Sequence, residues 1–119
     1  MSNPFVEKKK ILENEFAYAI YDGFPVSKGH MLVIAKADVT EIFELKKNEY
    51  ISCFELLIDV KNYIQNKYNP DGFNIGVNCN TSAGQTVPVP HIHIIPRYKG
   101  DIEDARGGIR NIIPGKGNY

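Results

Sequence analysis

Runs of apolar residues, broken by turn residues, divide this chain into short strands and one long helix. Phe16-Ala17-Tyr18-Ala19-Ile20-Tyr21 is aromatic and β-prone, and it stops at Asp22-Gly23 with Pro25 close behind, which is strand followed by turn chemistry. Gly29 opens a second run, His30-Met31-Leu32-Val33-Ile34, placed to fold back on the first as an antiparallel partner. Asp38-Val39-Thr40-Glu41 has the spacing of a capping box, so a short helix is expected to start there. From Glu49 to Tyr68, Tyr50, Phe54, Leu57, Ile64 and Tyr68 recur three, four or seven apart, and Ile51, Val60 and Tyr63 widen the stripe. That period is the mark of a long amphipathic helix.

Asn69-Pro70-Asp71-Gly72 ends the helix, and Phe73-Asn74-Ile75-Gly76-Val77-Asn78 then alternates apolar with small or polar residues. A strand is expected there, with Asn74, Gly76 and Asn78 on its polar face. A loop through Ser82, Ala83 and Gly84 leads to a last strand, Val89 to Ile95, entered through Pro88 and Pro90 and left through Pro96. The tail from Arg97 to Tyr119 mixes charges with six Gly/Pro residues, so little regular structure is expected in it. The order β-β-α-α-β-β predicts an α+β fold, an antiparallel sheet with one long and one short helix on one side.

Length and composition narrow the picture. With 119 residues the chain is long enough for one domain with its own core and too short for two. Fourteen Lys+Arg balance fourteen Asp+Glu, which leaves no global field for nucleic acid or an anionic membrane. The longest apolar run, Phe16 to Tyr21, cannot span a bilayer, and no signal peptide opens the chain, so a cytoplasmic protein is expected. Cys53 and Cys79 lack the spacing of a zinc or redox site and read as buried apolar residues.

The chemistry gathers in Pro90-His91-Ile92-His93-Ile94. In a strand both imidazoles project from one face while Ile92 and Ile94 take the core. Such a pair can be two ordinary surface histidines, two ligands of a metal that would need His30 or a distant carboxylate as a third, or a nucleophile with a proton donor. The third reading calls for neutral donors beside the pair. Asn78, the Gly84 N–H, Gln85 and Thr86 lie in the segment that feeds into the histidine strand.

Gly84-Gln85-Thr86-Val87-Pro88-Val89-Pro90-His91-Ile92-His93-Ile94-Ile95-Pro96-Arg97 resembles the signature of the histidine triad (HIT) family of nucleotidyl hydrolases and transferases. Tyr21-Asp22, followed by Pro25 to Ile34, resembles a second segment of that family, and Asp71 to Asn78 and Arg106 to Arg110 resemble a short bacterial branch. On the family pattern His91 takes the middle triad position and His93 the last, while Val89 replaces the first histidine. The resemblance implies that His91 attacks the α-phosphorus of a nucleotide and that His93 donates to the leaving group. It further implies that Asn78, Gly84, Gln85 and Thr86 bind phosphate, that Asp22 accepts from the ribose, and that Ile20 and Leu32 line the base pocket. His30 is expected to be structural, and Val89 to offer its carbonyl to His91. The implied substrates are diadenosine polyphosphates or adenosine phosphoramidates, with no metal or cofactor required and a homodimer as the assembly.

Overall fold

The computed structural model describes residues 3–119. Five strands form one antiparallel sheet in the order β1-β2-β3-β5-β4: β1 (Leu12–Glu13), β2 (Ala17–Tyr21), β3 (Met31–Ala35), β4 (Gly72–Gly76) and β5 (His91–Arg97). The helix α1 (Lys47–Tyr68) packs on one face, so the α+β architecture expected from the sequence is the one present. The pairing of β2 with β3 sets Ile20 opposite Leu32, and that of β3 with β5 sets Leu32 opposite His93.

Alternation along each strand sorts the side chains. Ala17, Ala19, Met31, Val33, Ala35, Ile92 and Ile94 meet Cys53, Leu56, Leu57, Val60 and Ile64 of α1 in the main core. Three alanines on the sheet let the helix approach closely, and burial of each large aliphatic contributes about 1.5–3 kcal/mol. On the other face Tyr18, Ile20, Leu32, Ile34 and Val89 form a second, smaller cluster. That face carries His91 and His93.

Several expectations shift. The segment at Asp38–Glu41 starts no α-helix; it leads into a single 3-10 turn, Ile42–Glu44. Here Glu44 accepts from the Thr40 and Glu41 N–H groups and from the Thr40 hydroxyl, and the turn ends because Lys46 is already the N-cap of α1. The helix begins two residues before Glu49, with Glu49 accepting from the Lys46 N–H at 2.8 Å. It ends at Asn69, whose φ of 51° is left-handed. The buried stripe of α1 is also rotated from the predicted one: Cys53 and Leu56 are inside, whereas Tyr50, Ile51, Phe54 and Ile58 face outward.

The last strand starts at His91 and runs on through Pro96. β3 pairing stops at Ile94, so Pro96 turns its missing N–H beyond the end of β3, where its carbonyl accepts from the Ser27 hydroxyl at 2.7 Å. The short β1 was not legible in the sequence. Cys79 is half-buried, not buried. In the tail, Gly108–Ile112 forms a 3-10 turn.

Candidate active site

The sheet face opposite α1 holds a cavity of about 480 Å³. Ile20 and Leu32 form its apolar floor, His91 and His93 stand at one side, and Asp22, Asn78, Gly84 and Thr86 complete its polar lining. Most of the residues singled out in the sequence therefore converge, because β2, β3 and β5 are neighbours and the loop after β4 returns over them.

Each ring nitrogen can be assigned from its partner. The Nδ1 of His91 lies 2.6 Å from the Val89 carbonyl, and a carbonyl can only accept, so Nδ1 carries the proton and Nε2 offers a bare lone pair. Val26 donates its backbone N–H to Nδ1 of His30 at 3.2 Å. In the neutral ring the proton is then on Nε2, which lies 3.0 Å from Nδ1 of His93. His93 accepts there and holds its own proton on Nε2. A backbone amide thus sets two tautomers in series and leaves a bare nitrogen beside an N–H donor.

Burial favours the neutral form of His30 and His93. It lowers the His30 pKa, with the charge of Asp22 opposing; it also lowers that of His93, helped by the neighbouring His91 and His30 and opposed by Asp22. Asp22 accepts from the Phe24 N–H at 2.8 Å through one oxygen and sets the other 3.4 Å from His30 Nε2. It serves its turn and faces the cavity at once.

Asp22, His30 and His93 place three ligand atoms 3.0–3.7 Å apart, a spacing that a metal could bridge. A ligating histidine normally donates through its other nitrogen to an acceptor. Here Nδ1 of His30 meets an N–H donor, so Nε2 keeps its proton and has no lone pair for a metal. The donor set suits a hydrogen-bond chain.

Other expected residues are placed differently. Gln85 does not line the cavity: its amide donates to the Thr40 and Val87 carbonyls and its oxygen accepts from the Asn80 N–H. It braces the loop. Gly84 lines the cavity, but its N–H is turned away to the Thr81 carbonyl at 2.9 Å, which corrects the expectation that this N–H faces a ligand. Val89 contributes its carbonyl while its side chain packs in the second cluster. None of Arg97, Lys99, Arg106, Arg110 or Lys116 lines this cavity. His91 is less accessible than a polar-face ring should be, at 8% exposure.

The cover comes from the segment before β1, to which the sequence pattern assigns no part in the site. Phe5, on the 3-10 turn Pro4–Glu7, stacks edge-on against His91 with centroids 5.1 Å apart, and Pro4, Lys8 and Phe24 complete the rim. The available signal was an aromatic residue after a proline at the start of an otherwise charged stretch.

A family model described as "HIT domain" matches residues 3–100. This chain belongs to the HIT domain family. It is 34% identical over 90 residues to a bis(5'-adenosyl)-triphosphatase of Dictyostelium discoideum, covering 76% of this chain and 60% of that protein. It is 36% identical over 80 residues to a bis(5'-nucleosyl)-tetraphosphatase (asymmetrical) of Schizosaccharomyces pombe, covering 67% and 44%. The HIT domain of this chain thus spans only part of these curated relatives. Among solved structures, it resembles a HIT family protein from Bacillus anthracis at 40% identity and TM-score 0.73, over 76% of this chain and 64% of that one. A HIT family member from Bacillus subtilis matches at 30% identity and TM-score 0.75, over 95% and 82%.

Proposed function

We propose that this HIT protein is a nucleotidyl hydrolase, with residues 1–119 acting as one cytoplasmic domain, that cleaves diadenosine polyphosphates or adenosine phosphoramidates at the α-phosphate. The observation that carries the reading is the bare Nε2 of His91, fixed by the Val89 carbonyl, beside the Nε2–H of His93 in one cavity. The names of the relatives as diadenosine and dinucleoside polyphosphate hydrolases support the substrate class.

His91 Nε2 attacks the α-phosphorus, a P–N bond forms, and the bond to the bridging oxygen or nitrogen breaks. The leaving atom takes the proton from His93 Nε2. Water then attacks the nucleotidyl-His91, His93 accepts a proton from that water, and the P–N electrons return to His91. Asn78 and Thr86 hold the phosphate oxygens, Asp22 accepts from the ribose, and the base lies on Ile20 and Leu32 under Phe5. Val89, where the family pattern has a histidine, keeps the one contribution this scheme needs, its carbonyl.

The outward apolar face of α1, with Ile58 63% exposed and Tyr50 stacked on Phe54 at 5.0 Å, supports a homodimer. The deciding experiment is turnover of diadenosine tri- and tetraphosphate by wild type and His91→Ala. Loss of at least three orders of magnitude in kcat/KM, about 4 kcal/mol of transition-state stabilisation, is expected. His91→Ala should also lose about 1–2 kcal/mol of stability, since the ring is buried and hydrogen-bonded. A wild type that binds nucleotide tightly and turns over none would establish a binding module instead.

A further inference from the structure

A second cavity, of about 340 Å³, lies on the same sheet face. Ile95 and Arg97 follow His93 on that face of β5, with Asn74 opposite Ile95 and Gly76 opposite His93. At about 3.4 Å per residue, Ile95 stands roughly 7 Å beyond the His93 ring. The order along the strand is therefore nucleophile, proton donor, second cavity. Val26 joins the two sites, since its N–H holds His30 and its side chain lines the second cavity.

The tail builds the far wall. Ile102, Ala105 and Asn111 line the cavity, and all lie beyond residue 100, where the family match ends. Val26, Ile95, Ile102 and Ala105 give apolar surface, while Asn74 and Asn111 bring carboxamides. Among the described residues the charges in the lining cancel: Arg97 is bidentate to Asp101 at 2.7 and 2.8 Å and donates to Asn74 at 2.6 Å. An apolar floor with amides and no net charge suits an uncharged planar group better than free phosphate.

We infer that this cavity receives the leaving-group nucleoside of a dinucleoside polyphosphate. The inference rests on the proposed function and deepens it, because a leaving group protonated by His93 departs along β5 towards Ile95. The tail thereby selects a dinucleoside over a phosphoramidate or a mononucleoside polyphosphate.

Calorimetry with methylene-bridged analogues of diadenosine tetraphosphate and of adenosine 5'-tetraphosphate tests this on the intact protein. Wild type should bind the diadenosine analogue at least tenfold more tightly. Ala105→Trp, which fills the cavity from an exposed position, should reduce that advantage to under threefold while leaving the mononucleoside analogue within twofold; Ile102→Ser should act in the same direction. Equal affinity of the two analogues in wild type, or parallel weakening of both in the variants, would overturn the assignment. Release of AMP from the hydrolysable compounds is read separately. Selective binding without turnover sinks the hydrolase and keeps the subsite, whereas turnover of both compounds with one KM sinks the subsite alone.

Discussion

The proton on His93 is set two hydrogen bonds away, by the backbone amide of Val26. His30 is thus a positioning residue in the proposed mechanism. Replacing it with Phe removes the donor to His93 Nδ1 and frees the tautomer, so kcat should fall about 10–100-fold, the scale of losing such an orienting partner, with KM little changed. Partial recovery in His30→Gln, measured by steady-state kinetics, would separate positioning from packing. The same ring predicts a pH effect. His30 and His93 have folded pKa values below the unfolded value near 6.5. Below that pH the unfolded chain binds protons that the folded chain refuses. Stability should be flat above about pH 7.5 and fall as pH drops through 6.5 towards the folded values. The slope is at most about 1.4 kcal/mol per pH unit for buried His30, and smaller for the more exposed His93. Urea titrations across pH 5–8 check this, and the slope should shrink in His30→Phe.

At the scale of elements, the site depends on how the loop between β2 and β3 meets the end of α1. Gly29 has φ 93°, and a Cβ there would lie 2.8 Å from the Tyr68 ring. Tyr68 has little freedom to yield, since it hydrogen-bonds the Tyr21 hydroxyl at 3.0 Å. Gly29→Ala should cost about 1–2 kcal/mol or more from the left-handed backbone and the contact together, lowering Tm by several degrees. It should also disturb His30, the next residue, so activity should fall beyond what the loss of folded protein explains. Calorimetric melting and kcat on the folded fraction measure the two effects.

For the whole molecule, α1 is apolar on two sides. One side carries the core; the other presents Tyr50, Ile51, Phe54 and Ile58 to the surface. Contiguous exposed apolar surface of this kind is what the proposed homodimer would cover. Sedimentation equilibrium should give twice the 13.4 kDa of the chain. The double change Phe54→Glu and Ile58→Glu should give the single-chain mass without loss of helix signal, because neither side chain belongs to the core cluster.

Local pattern alone determined β2, β3, the long helix, the shared face of His91 and His93, and the placing of Asn78 and Thr86 beside them. Strand alternation and helical period depend only on neighbours in sequence. The same rules erred where competition between segments decides. Asp38–Glu41 yielded to Lys46 as the cap that starts α1, and two apolar stripes on α1 at equal spacing left the buried one to be chosen by the sheet. Gln85 and the Gly84 N–H depart from the expected phosphate-binding roles because their polar groups are taken up by Asn80, Val87 and Thr81 of the same loop and, for Gln85, by the Thr40 carbonyl as well. What only the tertiary structure settled are contacts between distant segments: Phe5 on His91, His30 on His93, and the tail closing a second cavity beside Ile95. Loop closure brings those partners together only after the sheet has formed, so no local period in the chain encodes them.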